Sequence, residues 1–103
     1  MEVLTKGTIE PLMVAIRDRL NNISSLALVD GKLFDVDKKS DDSSVVVNGV
    51  WFVDADYPMY AICMIDTTIS GFTPGDEYKL YVKWNSGSEQ VKKGPLYFRV
   101  EDD

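Results

Sequence analysis

The segment from Gly71 to Trp84, GFTPGDEYKLYVKW, constrains the fold more than any other part of the chain. Its first half contains the Pro74-Gly75 pair, which is typical of a tight turn. Its second half alternates between two faces of a strand, one made of Tyr78, Leu80, Val82 and Trp84 and the other of Lys79, Tyr81 and Lys83. Such a strand buries one face and exposes the other, so the segment predicts an antiparallel sheet packed on one side.

Short apolar runs separated by turn residues continue through most of the chain. The predicted strands are residues 25–29, 32–36, 45–53, 59–65, 77–84 and 96–100. Asp30-Gly31 is a turn pair, and Asn48-Gly49 is a two-residue hairpin signal between β-branched and aromatic residues. Several short strands with this punctuation predict a β-sandwich or a β-barrel.

The N-terminal part has a period of three to four residues instead of two. The apolar residues at this spacing are Ile9, Leu12, Met13, Ile16, Leu20 and Ile23. Thr8 suits the N-cap of a helix, and Pro11 is tolerated in a first helical turn. The pattern predicts one amphipathic α-helix within residues 8–23.

The length of 103 residues suits a single domain with one core. We expect an N-terminal arm (1–7), the helix (8–23), a β-sandwich (25–100) and an acidic tail (101–103). Val3 and Leu4 make the arm apolar, so we expect it to be ordered against its own domain or a neighbour. The single cysteine and the lack of a visible signal peptide indicate synthesis in a reducing cytoplasm.

The run from Met59 to Ile65 is apolar on both faces of a strand. A strand of an open sandwich normally exposes one face to water, so a second apolar face needs a cover. The apolar stripe of the predicted helix needs a partner surface too, and we therefore expect the helix to be that cover. A neighbouring subunit is the alternative.

The residues that could perform chemistry do not form a catalytic pattern. The chain has no histidine, and Cys63 lies in an apolar strand, where a buried thiol behaves as a small hydrophobe. The acidic loop with Asp35, Asp37, Asp41 and Asp42 lacks the glycine and terminal glutamate of an EF-hand loop. We interpret it as a solvated loop, with calcium binding as the alternative, and we expect no enzyme activity, metal or cofactor.

Charge and hydropathy narrow the classes of partner. A formal net charge of −6 argues against nucleic acid, since nucleic-acid binding needs a basic field. No apolar run is long enough to span a bilayer, and no glycine-rich phosphate loop is present. We therefore expect protein partners rather than nucleic acid, membrane or a small-molecule substrate.

The turn before residue 77 resembles the E–F corner of immunoglobulin-like and fibronectin type III-like domains. In that likeness Phe72 is the apolar corner residue, Pro74-Gly75 is the turn, and Tyr78 is the corner tyrosine that bonds back to the upstream backbone. The likeness implies an immunoglobulin-like β-sandwich. The chain departs from it in lacking a second cysteine and in having the predicted helix.

A broader likeness covers about Leu26 to Val100 and includes the run AICMID and Gly94-Pro95 before the last predicted strand. It resembles the small immunoglobulin-like β-domains of tailed bacteriophages. That resemblance implies a non-enzymatic virion protein at the head–tail connector, the tail or the capsid surface. It would be made in the host cytoplasm and would assemble with other virion proteins or with copies of itself.

The outward residues of the last two predicted strands are the candidate partner surface. Lys79, Tyr81, Lys83, Tyr97 and Arg99 would form a basic and aromatic patch on an acidic protein. A solvated sheet face with cross-strand pairs is the competing interpretation. Val3 and Leu4 of the arm are the other candidate contacts.

Two other functions are compatible with parts of the sequence. A monomeric module that binds carbohydrate or a surface polymer could use Trp51, Tyr57 and Trp84 as a stacking platform. A tail-terminator-like α/β protein is suggested by DGKLFDV and DADYPMYAI after a helix. The lack of a second helical pattern late in the chain argues against the latter.

Overall fold

A computed structural model describes residues 1–16 and 30–102, and this part of the chain is mainly β. Its strands are β1 (Glu2–Thr5), β2 (Ile9–Ala15), β3 (Asp30–Lys38), β4 (Ser44–Val50), β5 (Phe52–Asp54), β6 (Tyr57–Asp66), β7 (Glu77–Ser86) and β8 (Glu89–Glu101). The predicted strand at residues 25–29 lies outside the described residues.

The strands form two sheets that enclose one core. The large sheet has the order β1-β8-β7-β3-β4 and the small sheet has the order β2-β6-β5. β1 runs parallel to β8, and the other pairs are antiparallel. Inward side chains from both sheets form the core, among them Leu12, Val14, Phe34, Val36, Ala61, Cys63, Ile65, Tyr78, Leu80, Val82, Phe98 and Val100.

The helix prediction for residues 8–23 is wrong in its described part. Residues 9–15 form β2, with Ile9 opposite Asp66 and Ala15 opposite Tyr60 in β6. Residues 17–23 lie outside the described residues. The run IEPLMVAI fits both periods, because Leu12, Val14 and Ile16 also alternate as a strand requires. Pairing with β6 decides between the two periods.

The hairpin expected at Asn48-Gly49 is wrong as well, because both residues lie inside β4. The β3–β4 register shifts between Phe34 and Val36, and Asn48 takes a positive φ of 47°. A Cβ at Gly49 would lie 2.0 Å from Cζ of Phe34, so glycine is needed where the ring covers the strand. The local turn signal therefore marks an irregularity in a strand.

Trp51 is the point at which the chain passes from the large sheet to the small one. It lies between β4 and β5 and is fully buried. Its indole N–H donates to the Lys83 carbonyl oxygen at 2.8 Å, and its ring meets Trp84 edge-on at a centroid distance of 5.9 Å. These contacts attach the crossing point to β7.

The segment between β6 and β7 is held by Tyr78. The Tyr78 hydroxyl accepts a hydrogen bond from the Thr73 backbone N–H at 2.7 Å and lies 3.5 Å from the Gly71 carbonyl oxygen, to which it donates. Phe72 is buried and packs edge-on against Tyr78 at 5.0 Å. Gly75 has a φ of 91°, which favours glycine, and its N–H donates to the Val100 carbonyl oxygen at 2.7 Å.

The last strand also differs from its predicted bounds. β8 begins at Glu89 rather than at residue 96, and the cis Gly94-Pro95 bond lies inside it. β8 is not an edge strand, because β1 pairs along its other side. The N-terminal residues thus complete the large sheet.

Replacing Tyr78 by phenylalanine should lower the free energy of unfolding by about 0.5–1.5 kcal/mol, because the part-buried hydrogen bond from the Thr73 N–H to the Tyr78 hydroxyl is lost. Tyr97→Phe is the matched control, since the Tyr97 side chain is 42% exposed and its loss of a hydroxyl should cost less than about 0.5 kcal/mol. Urea denaturation followed by tryptophan fluorescence measures both values. Equal losses in the two variants would contradict this role of the Tyr78 hydroxyl.

Candidate interaction surfaces

The predicted basic and aromatic patch does come together on the outer face of the large sheet. Lys79 lies opposite Tyr97, and both are flanked by residues of the same set along β7 and β8. Tyr97 is the most exposed of the tyrosines in this set, at 42%. The arrangement follows from the alternation of the two strands and their antiparallel register.

The cations of this patch are paired within the chain. Lys83 Nζ lies 2.8 Å from an Asp35 carboxylate oxygen, and Lys79 forms an ion pair with Asp42, which raises the pKa of Lys79. Arg99 Nε lies 2.8 Å from Glu101 Oε1, as a charge contact without hydrogen-bond alignment.

Each tyrosine of the patch also has a lysine ammonium group close to its ring. Lys92 Nζ lies 4.3 Å from the ring centre of Tyr81, and Lys39 Nζ lies 5.4 Å from that of Tyr97. Lys39 in turn pairs with Glu77 at 2.8 Å, which lowers the pKa of Glu77. The large sheet thus presents a face whose charges are balanced across its own strands rather than a free basic field.

The N-terminal arm belongs to the large sheet. Leu4 is 4% exposed and packs in the core, whereas Val3 is 47% exposed and lies in register with Arg99. The Lys6 ammonium donates to the carbonyl oxygens of Ile69 and Phe72 at 2.8 and 2.7 Å. Of the two arm residues, only Val3 is available on the surface of the folded chain.

The outer face of the small sheet is apolar except for Asp66 at one end, opposite Ile9, and we call its apolar residues the apolar face. Its members alternate with the core residues of the same strands and share a side by their register: Ile9, Pro11, Met13, Ala15, Phe52, Tyr60, Ile62 and Met64. Ile62 is 8% exposed because it lies between Met13 and Phe52, its partners on both sides. The other large side chains are 37–58% exposed.

The apolar face is the surface that the two-sided run Met59–Ile65 indicated. The expected cover was the helix, but the stripe residues Ile9, Leu12 and Met13 are part of β2, in the same sheet as the run itself. The described part of the predicted helix is therefore not the cover, because it is a strand of the same sheet. The exposure of Ile9 and Met13 was not predicted, because a helix would place both on its buried apolar stripe.

Carboxylates lie at both ends of the small sheet. Asp54 ends β5, Asp56 is in the turn to β6, and Asp66 ends β6 opposite Ile9. Asp54 accepts the Asp56 N–H at 2.8 Å, and Asp66 accepts from the N–H and hydroxyl of Thr68, which lowers its pKa. Within residues 1–16 and 30–102 no lysine or arginine forms an ion pair with these three groups.

A groove of about 410 Å³ runs beside the irregularity between β3 and β4. Val46 of β4, which lines the groove, is 76% exposed. β4 is an edge strand, but the register shift opposite Phe34 interrupts its free edge. The groove is therefore a weaker candidate for a contact with another protein than the apolar face is.

The groups considered for chemistry are engaged in packing and local bonds. Cys63 is fully buried, and burial raises the pKa of its thiol to about 12. Asp41 accepts from the N–H and hydroxyl of Ser43, while Asp35 and Asp42 pair with lysines. In the described part of the chain, no group of three or more acidic or cysteine side chains is arranged to hold a metal ion.

The residues of the proposed stacking platform are separated by burial. Trp51 and Trp84 are 0% and 5% exposed and pack against each other, whereas Tyr57 is 53% exposed. The two tryptophans therefore offer no open ring to a sugar.

The chain matches no protein-family model, no curated protein and no solved structure. The residues that the structure describes include no helix of the length and apolarity needed to cross a membrane. The function has to be inferred from the surfaces described above.

The stability of the fold should fall above pH 9 because of Cys63. Its pKa rises from 9.0 to about 12 on folding, so the unfolded chain loses the thiol proton first. The stabilising effect is complete below pH 9 and is lost, by about 1.4 kcal/mol per pH unit, as the pH rises toward 12. Urea denaturation between pH 8 and 10.5 should give a steeper loss for the natural chain than for Cys63→Ala. Parallel profiles would contradict the burial of the thiol.

The Lys83→Glu variant should be destabilised by about 0.5–1 kcal/mol, because Asp35 would then face a like charge. Exchanging the charges, with Lys83→Glu and Asp35→Lys together, should restore most of the loss, and 1 M NaCl should reduce the effect of the single variant. Thermal and urea unfolding measure the cycle. If the single and exchanged variants are equally unstable, the ion pair does not balance this face.

Proposed function

We propose that this protein is a non-enzymatic structural component of a tailed-phage virion, which assembles through protein–protein contacts at the head–tail connector, the tail or the capsid surface. It would be made in the host cytoplasm and would have other virion proteins or copies of itself as partners. The observation that carries the proposal is the apolar face of the small sheet. No element within residues 1–16 and 30–102 covers this face, and an exposed apolar face of this kind is typical of a contact with a neighbour.

The strand order supports an immunoglobulin-like sandwich as the finer fold. If the strands are lettered A, B, C, C′, D, E, F and G in chain order, the small sheet is B-E-D and the large sheet contains C′-C-F-G. The A strand lies beside G instead of B. The bond from Tyr78 to the backbone of Thr73 lies at the E–F corner, where such domains have their corner tyrosine. Modules of this kind serve many functions, so the fold alone does not carry the proposal.

The composition of the apolar face supports a contact with protein. Its eight members carry no charge, although 27% of the whole chain is charged. Aromatic and methionine side chains, here Phe52, Tyr60, Met13 and Met64, are enriched in interfaces. A surface of a few hundred Å² on a monomer is often functional.

An assembly suits a contact of this size. The apolar face gives one small contact per subunit, and repeated subunits in a particle add many such contacts by multivalency. The balanced charges of the large sheet keep the opposite face hydrated, so that one side of the domain associates and the other meets solvent. This polarity is useful in a component that must be added to a particle in one orientation.

The proposal predicts that the protein is found in the particle. Tailed-phage particles purified from a host that produces this chain should contain it in a fixed ratio to the major capsid or tail protein, by quantitative mass spectrometry. Its gene should lie among head and tail genes. Recovery of the chain only in the soluble host fraction, with particles complete without it, would refute the proposal.

A further inference from the structure

We propose that the apolar face docks an amphipathic helix from a partner protein, with the apolar stripe of the helix across β2, β6 and β5 and basic residues at its ends. The inference deepens the proposed function and rests on it only for the partner being a protein.

The dimensions of the apolar face match one helix. Seven residues of β2 extend over about 23 Å, and the outer strands of a three-stranded sheet lie about 10 Å apart. An α-helix of about 15 residues is about 23 Å long and about 10 Å wide with its side chains. One helix would therefore cover the face, in the layered arrangement by which helices and sheets bury each other.

A second copy of this chain fits the face less well. Self-pairing would bring together two chains of net charge −6, each with Asp54, Asp56 and Asp66 around the face.

Charge complementarity selects basic ends for the helix. Asp54 and Asp56 lie at one end of the small sheet and Asp66 at the other. Lys6 is the cation that acts on Asp66, but its ammonium is hydrogen-bonded to the carbonyl oxygens of Ile69 and Phe72. Within residues 1–16 and 30–102 no cation forms an ion pair with these carboxylates, so a partner with lysine or arginine at both ends of its apolar stripe would supply counter-charges, and acidic ends would be repelled.

The side chains of the apolar face suit a helix better than a flat, rigid surface. Met13 and Met64 are flexible and polarizable, and they can repack around the ridges of a helix. Ile62 between them is recessed, at 8% exposure, so the raised residues on either side form a shallow trough. A helix laid in an apolar trough is a recurrent mode of peptide recognition.

Methionine-methyl NMR tests the proposal directly, because the chain has four methionines in different environments. The probe is a synthetic 18-residue helix with a leucine stripe at positions i, i+3, i+4 and i+7 and two lysines at each end. Its addition should shift the methyl signals of Met13 and Met64 in a saturable way. The signal of Met1, which lies at the terminus of the large sheet's β1 side, should not move.

Matched variants and probes separate the parts of the proposal. Met13→Lys should weaken binding of the basic probe at least tenfold, whereas Val46→Lys, on the exposed edge strand β4, should leave it within twofold. The same probe with glutamates at its ends should bind at least tenfold more weakly. Asp54→Asn with Asp56→Asn should reduce the salt dependence of binding. Urea denaturation of each variant shows that it is folded.

Three results would overturn the proposal. Unmoved Met13 and Met64 signals would show that the face is not free to take a helix in solution. Equal binding of the acidic and basic probes would remove the charge argument. Shifts that depend on protein concentration alone, together with a doubled mass in sedimentation, would make a second copy the occupant. Each result leaves the particle-content experiment able to succeed or fail separately.

Discussion

The antiparallel pairing of β2 with β6 is the interaction on which the rest of the structure depends. It turns residues 9–15 into a strand and places Leu12 and Val14 opposite Cys63 and Ala61 in the core. Without β2, the inward side of β6 would have only the short β5 beside it. The same pairing puts the alternate residues of both strands on the other side, so the core and the apolar face are formed together.

The two outer faces of the sandwich differ in how they interact with water. The large sheet sets opposite charges across neighbouring strands, as Lys83 and Asp35 do, and each pair contributes little to stability but keeps the face hydrated. The outer side of the small sheet is apolar except for Asp66 at one end, and exposure of these apolar groups to water is unfavourable. This difference, more than any single residue, distinguishes the two sides of the domain.

The parts of the fold that could be predicted from the sequence are those decided by the alternation of residues within a single strand. The alternation from Tyr78 to Trp84 predicts β7 and its buried face without reference to any other segment. The assignment of residues 9–15 and the turn at Asn48-Gly49 failed because distant contacts decide them: β6 fixes the first, and the Phe34 ring fixes the second. The apolar face was half predictable, since Met59–Ile65 shows the surplus of apolar surface but not which strand lies beside it.

An exposed apolar face also favours aggregation, and other features of the domain oppose it. Of the edge strands in the described part of the chain, β1 has four residues and β5 has three, β4 is interrupted by its register shift, and β2 contains Pro11, which has no N–H to donate to another copy. The net charge of −6 opposes unselective contact between copies, and the carboxylates at the ends of the small sheet direct that repulsion to the apolar face itself. A partner that combines an apolar stripe with positive charge is repelled neither by the net charge nor by these carboxylates. Selectivity would then come from what the acidic rim excludes as much as from what the apolar face attracts.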